Sequence, residues 1–172
     1  YDAFGLNLPT MLELDRKFGP LDWRLPEAHI IHWALIGARE GAGARDARFD
    51  VMAADALGDA ALRGRVVKFD PSGGVLTTGP APELLPKAVA LFRSVAGAHG
   101  FDLAQDMGLG HLYRNFLRRS LISLHDIGMA ERAADVFREL RDDLHEIGAE
   151  NGYDRYLASI REQKETKDID KN

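Results

Sequence analysis

Ala133, Phe137, Leu140, Leu144 and Ile147 fall at alternating spacings of four and three along AERAADVFRELRDDLHEIG, and this pattern restricts the segment to one kind of structure. A strand needs apolar residues at every second position, whereas a helix brings all five onto one stripe. The same period runs through HLYRNFLRRSLISLHDIG, with Tyr113, Phe116, Leu117, Leu121 and Leu124 facing inward. It runs also from about Glu83 to Ala98, where Leu84, Leu85, Ala88, Leu91, Phe92 and Val95 are apolar. Glycine at 128 separates the first two segments, as expected where one helix ends and an antiparallel partner begins. The chain is therefore expected to be mainly α, built from stacked antiparallel helix pairs.

The remaining segments extend this reading. A short helix is expected from Pro9 to Phe18, stopped by Gly19-Pro20, followed by the proline-bounded stretch LDWRLP with Trp23 inserted against a helix pair. Pro26 and Glu27 suit the first turn of the next helix. That helix has two apolar stripes, one of Ala28, Ile31, Leu35 and Ala38 and one of Ile30, Trp33, Ala34 and Gly37. Such a helix is expected between neighbours on both sides, with Trp33 in the core. Gly41-Ala-Gly43 is expected to break it, and alanines from Arg45 to Leu62 permit close packing of the following helix. Between 65 and 78 the period changes: VVKFDPSGGVLTT carries two β-favouring runs around Asp70 to Gly74, the pattern of a small β-hairpin insertion. A last helix starts near Tyr153 and carries Tyr156, Leu157 and Ile160 on one stripe. One helical domain over 1–165 and a charged, flexible tail over 166–172 are expected.

With 172 residues, 45% of them apolar, a chain of this kind can bury a continuous core. It contains no cysteine, which removes disulfides, thiolate metal sites and a cysteine nucleophile from consideration. The longest apolar runs are far shorter than the roughly 20 residues of a membrane span. A net charge of −5 with interspersed signs supplies no basic field for a phosphate backbone, so no nucleic-acid partner is expected. Arg114, Arg118 and Arg119, matched further on by Asp135, Glu139, Asp142 and Asp143, read as a solvated face. Tyr1 in place of Met fits a processed product or fragment, which leaves the compartment open.

His29 and His32 are three residues apart on one helical side and could grip a transition metal, but zinc needs three or four ligands and Glu27 is at the wrong angular step to join them. Both are read as edge residues of a packed helix. Glu146 and Glu150, like Asp142 and Asp143, lie in a highly polar stretch and are read as exposed. Neither a nucleophile elbow, a phosphate-binding loop with its lysine, nor a dinucleotide fingerprint is present, and no cofactor is expected.

The region from about Leu112 to Gly148 resembles one tetratricopeptide-type repeat: a helix, a turn at Gly128, and a second helix with small Ala133 followed by large Phe137. The resemblance implies a helix pair that stacks on neighbours and offers a face to a polypeptide. A non-enzymatic interaction or scaffold domain, holding another protein or serving as a subunit of a larger protein complex, follows from it. Trp23, Trp33, Phe69 and Tyr156 are the candidate anchors. A second resemblance is local: LHDIG is similar to the His-Asp centre of the HD-domain metal phosphohydrolases. It implies divalent metal at His125 and Asp126, with His99 or His111 and Asp154 as further ligands, although Met129 stands where that family usually has lysine.

Overall fold

A computed structural model describes residues 5–40, 47–70, 75–146 and 148–169. The Gly41–Gly43 break, the turn at 71–74, Ile147 and the last three residues lie outside them. Seven α-helices and one two-stranded antiparallel sheet form among the described residues, so the chain is mainly α. Its contacts group into two compact units, Tyr1–Phe101 and Asp102–Asn172.

In the first unit, α1 spans Leu8–Phe18. The Asn7 side chain accepts from Thr10 N–H at 3.0 Å and caps it, and Gly19 ends it at φ +74°. Leu21 and Leu25 are buried on either side of half-buried Trp23, and the stretch expected to be extended instead makes a turn, with Leu25 N–H donating to Asp22 O at 2.9 Å. Helices α2 (Pro26–Glu40) and α3 (Ala47–Arg63) run antiparallel. At one end of the pair Arg63 Nε reaches Glu27 at 2.8 Å; at the other, Phe49 lies against Gly37, where a Cβ would overlap its ring. Ala54, Ala56, Ala60 and Ala61 are all buried and let α3 lie close to its neighbours.

Strands β1 (Arg65–Asp70) and β2 (Val75–Gly79) form the hairpin, pairing Arg65 with Gly79 and Asp70 with Val75 around a bulge between Val66 and Lys68. Asp22 accepts from Val66 N–H at 3.3 Å, and Arg65 pairs with Glu83 at 2.5 Å. Both ties hold the base of an insertion that two strands alone would not stabilise. A 3-10 turn at Pro82–Leu84 leads into α4 (Leu85–His99), antiparallel to α3: Ala81 N–H donates to Ala61 O, and His99 Nε2 to Asp50 Oδ2, both at 2.9 Å. Phe92 on α4 is wholly buried, a contribution of roughly 1.5–3 kcal/mol from removing its ring from water.

In the second unit, α5 (Leu109–Asp126) buries Tyr113, Phe116, Leu117, Leu121 and Leu124, the stripe read from its period. Met129 N–H donates to Leu124 O at 2.8 Å and Gly128 N–H to His125 O at 3.0 Å, with Gly128 at φ +77°. This pair of bonds is a Schellman closure, which satisfies two carbonyls of the last turn. Helix α6 (Ala130–Arg138) then buries Ala133, Val136 and Phe137. The expected continuation of that helix to Gly148 does not form. A π-helical turn over Glu139–Asp143 loosens it, and His145, at φ +50°, carries the chain out of the helix. Helix α7 (Tyr153–Ile169) closes the unit with Tyr156, Leu157 and Ile160 buried.

Candidate functional site

The two histidines of α2 are used by the backbone around them. His29 Nε2 donates to the Trp23 carbonyl at 2.9 Å, and His32 Nε2 accepts from Asn7 N–H at 3.1 Å. His32 is fully buried, with the Trp23 and Trp33 rings edge-on to it at 6.4 and 5.1 Å. Burial pushes its pKa below the ordinary histidine value, and the charge of His29 acts in the same direction. Accepting at Nε2 requires the neutral ring. Asp15 completes the cluster, taking Trp23 Nε1–H at 3.2 Å on one oxygen and Leu21 N–H at 3.1 Å on the other. Glu27 is buried and paired with Arg63. The arrangement orients the segment before α2 and fastens α1 to it.

His125 and Asp126 occupy the exposed carboxyl end of α5. His125 Nδ1 lies 3.1 Å from the Tyr153 hydroxyl, and Asp126 forms an ion pair with Arg161. His111 and Asp154 are exposed in the same unit, while His99, in the first unit, is committed to Asp50. Among the described residues no group of three or more His, Asp or Glu side chains could hold a metal ion. No protein-family profile, curated protein or solved structure matches the chain.

The aromatic candidates separate by burial. Tyr156 is 2% exposed, so it belongs to the core of the second unit and cannot anchor a partner. Trp23 is half-buried with its indole N–H taken by Asp15. Phe69 lies in β1 opposite Leu76, and its side chain falls outside the described part of the structure. Trp33, expected in the core, is 46% exposed. The sandwich expected around α2 is one-sided: Ala28, Ile31 and Ala34 are buried, whereas Ile30 (41%) and Trp33 face outward. Met52 on α3 is 46% exposed as well, so the α2–α3 pair exposes three large apolar side chains. A tryptophan presented this way, beside aliphatic neighbours, is the composition of an interface anchor. No helix among the described residues is long and apolar enough to cross a membrane.

A polar cluster in the second unit escaped the sequence reading. Glu146, taken there as exposed, is 7% exposed and paired with Arg118, with Arg114 Nε 4.0 Å from its other oxygen. Arg114 Nη1 also donates to the Leu103 and Ala104 carbonyls, both at 2.9 Å. Burial works to lower the Arg118 pKa, but the hydrogen bond and charge of Glu146 outweigh it and hold the guanidinium above its ordinary value. Burial pushes the Tyr156 hydroxyl up, and Glu146 adds to the effect. Arg114 and Arg118 are thus not a solvated face. They tie the chain before α5 and the turn after α6 to one helix. Glu146 lies 28 residues from Arg118, beyond any local spacing rule that could have announced the pair.

Proposed function

We propose that the chain is a non-enzymatic interaction module, tetratricopeptide-like in its helix pairs, that receives an apolar segment of another protein on the outer face of α2 and α3 as a scaffold or subunit of a larger complex. The exposed indole of Trp33, with Ile30 on the same stripe of α2 and Met52 exposed on α3, carries this reading. Each of the three is a little under half exposed, so completing its burial is worth roughly half of the 1.5–3 kcal/mol of full burial, which association recovers. The buried histidine cluster supports it from behind: with His32 pinned by Asn7, the α2 backbone under Trp33 is held rigid, and a rigid aromatic anchor loses little entropy on binding.

The test is a double substitution, Trp33→Glu with Met52→Glu, compared with wild type in quantitative affinity capture from the native source. Unchanged circular dichroism and melting together with loss of a defined partner is the expected outcome. An identical set of captured proteins would overturn the assignment of this face. Stoichiometric divalent metal in the purified chain, lost in His125→Ala, would overturn the non-enzymatic reading itself and favour the phosphohydrolase resemblance.

A further inference from the structure

A cavity of about 240 Å³ lies within the first unit, where α1, α2, α3 and α4 converge. It is a cleft open to solvent at one side rather than a sealed void. Here the space exists because Ala34, Ala38 and Ala53 stand where larger residues would close it. Its depth is apolar, with Leu14, Ile31, Leu35 and Val95 among the lining side chains. Its charged edge is uneven. Lys17 and Arg39 contribute two cations from α1 and α2, while the carboxylate of Asp50 is already engaged by His99 at 2.9 Å. Arg39 is met by Glu13 in an ion pair whose two side chains are about half exposed, the kind of pair that contributes little and exchanges readily.

We propose that this cavity binds a small amphiphile, a carboxylate carried on an apolar body. Taking about 30 Å³ as the share of one water-sized group, the space holds about eight such groups. The body enters between the alanines, and the carboxylate remains at the edge opposite Lys17 and Arg39. A ligand of that size reaches a dissociation constant on the order of 0.1–1 mM.

Titration of the full, isotopically labelled chain with octanoate, followed by amide NMR, tests this. Octan-1-ol and octylammonium serve as the neutral and charge-reversed probes. Saturable shifts at cavity residues, several-fold tighter for octanoate than for either control, are expected. Lys17→Glu, at an exposed position, should weaken octanoate about threefold, as expected for a solvent-accessible charge contact. Ala53→Leu should remove the binding by filling the space. The absence of saturation, equal affinity for the three probes, or octanoate binding unchanged in Lys17→Glu would each overturn the proposal, whether or not Ala53→Leu folds.

Discussion

Replacing Glu146 with alanine removes one carboxylate and leaves a specific debt behind it. Glu146 is 7% exposed and faces Arg118, whose side chain is 32% exposed. Breaking a fully buried ion pair by deleting one partner costs about 3–5 kcal/mol, because the other charge remains desolvated without compensation. Arg118 keeps some access to water, and Arg114 retains its bonds to the Leu103 and Ala104 carbonyls, so the expected cost falls to about 2 kcal/mol. For a chain of this size each kcal/mol lowers the melting temperature by about 2–4 °C, which gives a drop of about 4–8 °C. Urea denaturation of Glu146→Ala, Arg118→Met and the double variant, followed by far-UV circular dichroism, measures it. The double variant should recover much of the loss, since no buried charge is then left alone, and the cycle should give a coupling above about 1 kcal/mol. A Glu146→Ala variant within about 0.5 kcal/mol of wild type would refute the reasoning. So would strictly additive effects of the two substitutions.

Two further outcomes follow from single residues. The folded-state pKa of His32 is lowered by burial, so between that value and the ordinary one of about 6.5 the unfolded chain binds more protons than the folded chain. Its contribution is complete above the unfolded pKa and is lost as the pH falls below it. The urea midpoint of the wild type should therefore decline more steeply between about pH 7.5 and pH 5.5 than that of His32→Gln, and parallel declines would remove His32 as the cause. Gly128 sits at φ +77° with no atom within 4 Å of where a Cβ would stand, so Gly128→Ala should cost about 1 kcal/mol from backbone conformation alone. Chemical denaturation checks this, and a neutral substitution would show that the α5–α6 turn can relax without the left-handed residue.

The helices were legible because their signals are local. Pro26, Gly19 and Gly128 mark ends by backbone chemistry that holds whatever surrounds them, and the stripe of α5 was read residue for residue. Local signals do not specify an outcome that depends on which helix lies opposite. The 3–4 period after Gly128 continues without interruption to Ile147, yet α6 gives way at Glu139. The structure there places Glu146 against Arg118, and π-helical turns and a left-handed His145 are the local cost of that placement. On α2 the failure is of the opposite kind. Ile30 and Trp33 match Ile31 and Ala34 in apolar character and in helical spacing, so composition assigns them equally to a core. Gly37 belongs to the Ile30–Trp33 stripe, and the Phe49 ring covers its end, while Ile30 and Trp33 remain 41% and 46% exposed. Which part of an apolar stripe is covered is set by the helix that lies opposite, and no spacing within α2 encodes it.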